Sequence, residues 1–237
     1  LAGFPIPIVL VGSQRSSDRA SSDAALNLIG ATKFITENNT KGVYIVMHQD
    51  ENDNTIACHF GTRVRKNHTS KRGAFQTIGD NPAFIIAENQ IQKNMSKDYF
   101  EKNEFQPKIN LETKVALVKY HPGFDPNMLN QIIEMGYKGI IFEGTGLGHI
   151  GKVMYENVKK ANEKGVFLGM TSQCIDGRVR MTVYESGRDL LDLGIIPLQN
   201  MIPEVALVKT MWAIGNSKNN EDVKKIMLQN IASELSN

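Results

Sequence analysis

Cysteine is scarce in this chain: two in 237 residues, Cys58 and Cys174, far apart and with no CxxC spacing. That excludes a disulfide framework and a cysteine-built zinc site, and it fits structural, reduced thiols in a cytosolic protein. Long apolar runs are missing too, none approaching the ~20 residues that a bilayer-spanning helix needs. Charge imbalance is small, since 27 basic against 25 acidic residues leave a formal net charge of +2. Nothing in that balance drives the chain onto nucleic acid or an anionic membrane. The opening residues LAGFPIPIVLVG carry two prolines and no basic lead, so they do not make a signal peptide. HExxH, GxSxG, P-loop and clustered Cys/His motifs are also lacking, which leaves metalloprotease, serine-hydrolase and nucleotide-loop chemistry without support.

What is present suffices for a sizeable core, with 41% apolar residues over a length that suits one large or two modest domains. PIVLVG (7–12) predicts a strand, and the polar turn after it leads to a helix with Ala25, Leu28, Ile29 and Thr32 at helical spacing and Ser22 or Asp23 as N-cap. GVYIVMH and TIACHFG predict a β-hairpin around QDENDN. A polar, aperiodic segment then suggests a linker at 90–112 between a first domain at 1–89 and a second at 113–237. In the second half KVALVKY, KGIIFEG and VFLGMTSQ alternate with NMLNQIIEM, capped by Asp125 and Pro126, and with HIGKVMYENVKKANEK. Such alternation predicts βαβ units around a parallel sheet, with three further helices to the end. Ligands of open α/β sheets collect at the strands' C-terminal edge, where EGTGLGH and TSQCIDGR would lie.

Two motifs have competing readings. GTGLGH (144–149) follows a strand, as a phosphate loop must, but its GxGxG spacing lacks the third glycine of the dinucleotide fingerprint and equally describes a tight turn, with His149 opening the next helix. Residues 63–72 gather five cations (Arg63, Arg65, Lys66, Lys71, Arg72) and His68. No aromatic is interleaved, so the pattern of a single-strand binder is absent. What remains is a solvated loop or a lysine whose pKa is lowered by burial or neighbouring cations until it accepts protons. If the stretch is extended, Arg63 and Arg65 face away from Lys66.

Taken together, VLVGSQRSSDRASSDAALNL, GTRVRKNHTSKRGAF, IFEGTGLGH and above all MTSQCIDGRV resemble the D subunits of archaeal glutamyl-tRNA(Gln) amidotransferases, which are asparaginase-like proteins. The resemblance covers essentially the whole chain. It implies an asparaginase-like α/β fold of two α/β domains with largely parallel sheets, the first incomplete. The family lysine stands nine residues before a phenylalanine, as Lys66 does before Phe75, and the resemblance gives it the proton relay of a threonine, lysine and aspartate triad. Backbone N–H groups would stabilise the oxyanion. Ser13 aligns with a small residue whose main chain approaches substrate. The EGTGLG and TSQCIDGR loops are the candidates to reach a neighbouring subunit's site, which implies a homodimer.

The family's nucleophilic threonine and its threonine-aspartate pair are not among these residues, so an upstream part is expected and the chain by itself is not expected to turn over glutamine. The activity implied is a glutaminase half-reaction that supplies ammonia to an E subunit, within a heterotetramer that converts Glu-tRNA(Gln) to Gln-tRNA(Gln). ATP, magnesium and most tRNA contacts would belong to that partner, with no cofactor in this chain. A stand-alone L-asparaginase and a non-catalytic dimerisation module are the alternatives.

Overall fold

The β-branched runs form strands, and the length of each connection decides how they pair. In the computed structural model, which describes residues 3–95 and 105–236, β1 (Pro7–Val11) and β2 (Gly42–His48) are joined by α1 (Ala24–Glu37) and run parallel, Pro7 opposite Gly42. Next come β3 (Thr55–Phe60), the short strands β4 (Val64–Lys66) and β5 (Phe75–Thr77), then β6 (Phe84–Ala87) and β7 (Gln90–Lys93). The turns from β2 to β3 and from β6 to β7 are too short for a crossover, so those pairs are antiparallel. The sheet order is β1-β2-β3-β6-β7, with β4 and β5 forming a separate ribbon. This first sheet is therefore mixed, where a largely parallel one was expected.

The core of this unit is aromatic. Phe34 meets Tyr44 edge-on at 5.1 Å, and Tyr44 stacks on Phe60 at 5.3 Å. Helix α1 turns a different face inward from the one its apolar spacing suggested: Asn27, Gly30, Ala31 and Phe34 are buried, while Leu28 and Ile29 are exposed. The reason is close approach. Gly30 lies where an added Cβ would sit 3.1 Å from Ile56, so the helix seats its small residues on β3. Cys58 is buried in the same core, whereas Cys174 is exposed in a loop.

The second unit has β8 (Val115–Lys119), α2 (Asn127–Glu134), β9 (Gly139–Gly144), α3 (Tyr155–Glu163), β10 (Phe167–Ser172), α4 (Glu185–Asp192), β11 (Ile196–Pro197), α5 (Pro203–Gly215) and α6 (Asn220–Leu228). Its strands lie in the order β11-β10-β9-β8, all parallel. Period-two alternation buries both faces: Ile140, Phe142, Leu168 and Met170 pack with Leu129, Met154 and Leu190, while Ile141 and Phe167 pack with Ala206, Ala213 and Met227. Asp125 caps α2 by accepting from the Asn127 N–H at 2.9 Å.

Three expectations are corrected here. The 90–112 linker begins with a strand, β7, and its 108–112 end is held along α5, where Trp212 Nε1 donates to Lys108 O at 2.8 Å and Glu112 N donates to Met211 O at 2.9 Å. Residues 96–104 of it lie outside the described residues. Contacts divide the chain after Pro107, with Ile231–Ser233 returning to the first unit. Strand β11, absent from the sequence reading, is only two residues long, too short to show alternation. The last helix stops at Leu228 because Lys209 Nζ takes the Met227 and Gln229 carbonyls, at 3.2 and 2.5 Å. Among the described residues, no helix is long and apolar enough to cross a membrane.

Candidate active site

The basic stretch is not a patch. It is a ribbon whose cations go to different places. Arg63 N donates to Phe60 O to close a turn, β4 and β5 pair with Lys66 opposite Phe75, and Asn67 N bonds Ala74 O at 2.8 Å to seal the loop. The nine-residue spacing thus becomes a cross-strand pair, with Lys66 exposed at the loop end of β4. Arg65 alternates to the other face and is half-buried. Arg63 is 2% exposed, so the solvated reading does not hold for it. Lys71 is exposed, and Arg72 is bound to the turn between β2 and β3.

His59 on β3 anchors the ribbon from beneath. It is 1% exposed, and its Nδ1 lies 2.8 Å from Thr77 Oγ1 on β5. Burial pushes its pKa from 6.5 down to about 4. Between those values the folded ring is neutral while the unfolded chain takes up a proton, so the unfolded state binds more protons there. Stability is full above pH 6.5, falls as pH drops towards 4 and then levels off, a loss of roughly 3 kcal/mol. Urea midpoints at pH 7 and pH 4.5 should show the drop, and His59→Gln should flatten it. An equal drop in His59→Gln would refute this assignment.

Ser13 lies exposed in the loop after β1. That loop is shaped by Asp23, which is fully buried and accepts from the backbone N–H groups of Gln14 and Arg15 at 3.0 Å. Burial works to raise its pKa, but the N–H groups of Arg15, Gln14 and Asp23 itself, with the Asn27 amide, outweigh it and hold the carboxyl below its ordinary value. Asp23 therefore does not cap α1 with its side chain; Ser22 Oγ takes the Ala24 N–H instead, at 3.2 Å. Gln14, Arg15, Ser16, Arg19 and Ser21 line one cleft together with Ser70, from the turn after Lys66. The loops of both site candidates meet at that cleft.

Two family models match the chain: the N-terminal asparaginase domain over residues 1–99 and the glutaminase/asparaginase C-terminal domain over residues 114–227. The thermostable L-asparaginase from Thermococcus kodakarensis matches over 100% of this chain and 70% of its own, with TM-score 0.88 and 31% identity. The chain belongs to the asparaginase family. L-asparaginase I from Vibrio cholerae shares the fold, at TM-score 0.86 and 23% identity over 99% of this chain and 69% of its own. Curated relatives include the D subunit of the glutamyl-tRNA(Gln) amidotransferase from Metallosphaera sedula, 46% identical over 98% of this chain and 53% of its own length. The Pyrococcus abyssi protein of the same name is 46% identical over 97% of this chain and 52% of its own. The chain thus spans about half the length of these relatives.

In the second unit of this asparaginase-family chain, the two loops singled out from sequence lie side by side at the C-terminal ends of β9 and β10. Ser172 Oγ donates to Gly146 O at 2.6 Å, Gln173 N to Gly144 O at 2.9 Å, and Arg180 N to Leu147 O at 2.9 Å. The GTGLGH glycines make a turn, not a phosphate cradle: the N–H groups of Thr145, Gly148 and His149 all bond within the loop. Gly148 has φ +100, and a Cβ there would lie 2.1 Å from Val179 Cγ1. His149 does not open a helix, since helical structure starts at Lys152; its Nδ1 meets Ser186 Oγ at 3.2 Å.

Sequence reasoning missed the polar chain that runs from buried Asn27 and His48 to exposed Asp53. Its only signal was polar residues, Asn27 and His48, at core positions of α1 and β2.

Proposed function

We propose that this chain is part of the glutaminase subunit of a tRNA-dependent amidotransferase, with Lys66 as the proton-relay group. The observation that carries the reading is the register of the β4–β5 ribbon, which sets Lys66 opposite Phe75 at the loop end of the strand, just before the turn whose Ser70 lines a cleft with the loop that follows Ser13. The similarity to amidotransferase D subunits supports the choice of glutamine over asparagine. A threonine hydroxyl attacks the side-chain amide, the lysine passes the hydroxyl proton to the leaving nitrogen as the C–N bond breaks and ammonia leaves, and water then hydrolyses the threonyl ester to glutamate. The threonines and aspartate of that mechanism are not among these 237 residues, so this chain contributes the lysine, the main chain near Ser13 and the loops around them. Homodimer formation, pairing with an E subunit in a heterotetramer, ATP and magnesium on that partner, and a cytoplasmic location belong to the same proposal.

Ammonia release by the full-length protein should be measured with glutamine and with asparagine, with and without the E subunit and Glu-tRNA(Gln). Preference for glutamine and stimulation by the partner support the proposal. Faster turnover of asparagine without any partner would make the protein a stand-alone asparaginase, and no turnover of either amide would make it a non-catalytic module.

A further inference from the structure

The turn between β2 and β3 is gripped by two arginines, one from each loop of the candidate site. Arg15, from the loop of Ser13, lies 3.7 Å from Glu51 Oε2. Arg72, from the turn after Lys66, reaches Asp53 Oδ1 through Nη1 at 2.5 Å, donates through Nη2 to Glu51 O, and donates its backbone N–H to Glu51 Oε1 at 3.1 Å. Next to it, Gly73 is seated directly on the turn's backbone: a Cβ there would lie 2.7 Å from Asp50 Cα and 2.9 Å from Gln49 O. The ribbon therefore has no room to shift towards the turn, and Arg72 holds it from shifting away.

The same turn connects inward to the Ser13 loop. His48 is fully buried, its Nδ1 2.5 Å from Asn27 Oδ1 and its Nε2 3.3 Å from Asp53 Oδ1. The Asn27 amide donates to Gly12 O and to Asp23 Oδ2, both at 2.9 Å, which leaves its Oδ1 facing His48 Nδ1. Asp23 in turn holds Gln14 and Arg15. An unbroken polar path thus runs from the loop of Ser13 through Asp23, Asn27, His48 and Asp53 to Arg72. The hydrogen bonds with His48 and Arg72 hold the Asp53 carboxyl below its ordinary pKa.

We propose that Arg72 is a positioning residue for Lys66: clamped to Asp53 and Glu51, it fixes the β4–β5 ribbon, and with it the lysine, relative to the loop of Ser13. The inference rests on the proton-relay reading of Lys66. Proton transfer depends on distance, and misplacement by about 1 Å costs on the order of a hundredfold in rate. Arg72→Gln keeps most of the bulk and removes the charged fork. In the full-length protein with its E subunit, it should lower kcat for ammonia release roughly tenfold to a hundredfold while KM moves less than about twofold. Arg72→Lys, which keeps a charge on Asp53 without the fork, should recover part of the loss. In a Lys66→Arg background, compared through whatever slow turnover remains, Arg72→Gln should have no further effect, because the group it positions is gone.

Unchanged kcat in Arg72→Gln beside a silent Lys66→Ala would overturn the positioning role and leave the lysine reading intact. Turnover retained by Lys66→Ala would overturn both. If Arg72→Gln does not fold, Asp53→Asn at the exposed end of the clamp gives the same reading: a fall in kcat is expected, and an unchanged kcat refutes the proposal.

Discussion

Lys66→Ala in the full-length protein is expected to abolish ammonia release from glutamine, a loss of roughly a thousandfold or more, without unfolding the protein. The two halves of that result have separate physical causes. The side chain is exposed at the end of a three-residue strand, and among the described residues its ammonium has no hydrogen bond or ion pair, so removing it should change stability by less than about 0.5 kcal/mol. Under the proposed relay, activity depends instead on a group that can take and return a proton beside the attacking hydroxyl. Lys66→Arg should be nearly as inactive, because a guanidinium does not give up its proton at any working pH. Glutamine hydrolysis, with thermal melting as the folding control, decides the matter. Near-normal turnover in either variant would remove Lys66 from the mechanism.

The second large effect is expected in the other unit, from Glu234. Lys209 on α5 and Glu234 in the segment after α6 form an ion pair at 2.5 Å, with side-chain exposures of only 7% and 2%. Lys209 also donates to the Met227 and Gln229 carbonyls. Burial lowers the Lys209 pKa, and the Glu234 charge opposes part of that shift. Glu234→Ala leaves the ammonium buried beside carbonyls with its counter-charge gone, and should cost about 3–5 kcal/mol. Replacing both members, as Lys209→Met with Glu234→Leu, removes the charges together and should restore stability to within about 1–2 kcal/mol of the parent. Urea denaturation of the three proteins tests this. Equal stability of Glu234→Ala and parent would mean that the pair is solvated in solution.

How much of this could be read from the sequence depended on the range of the forces involved. The strands β1, β2, β3, β8, β9 and β10 were legible because β-branched runs bounded by turns dictate local conformation. The inward face of α1 was not. Its apolar residues Leu28 and Ile29 suggested one stripe, but close packing of Gly30 on Ile56 selected the opposite one. Nor was the fate of the basic stretch, since identical charges at Arg63 and Lys66 end in burial and in solvent according to which neighbours the fold supplies.

The sequence by itself determined the element types, the parallel second sheet and, through its motifs, the family and the candidate lysine. Those follow from periodicity and local spacing, which the linear chain carries in full. Only the tertiary structure decided that nine residues of spacing become the Lys66–Phe75 pair, that Asp23 holds the Ser13 loop instead of capping its helix, and that Arg72 clamps the ribbon to Asp53. Each of these joins groups 8 to 19 residues apart through hydrogen bonds whose partners are chosen by packing, and no local pattern in the sequence records that choice.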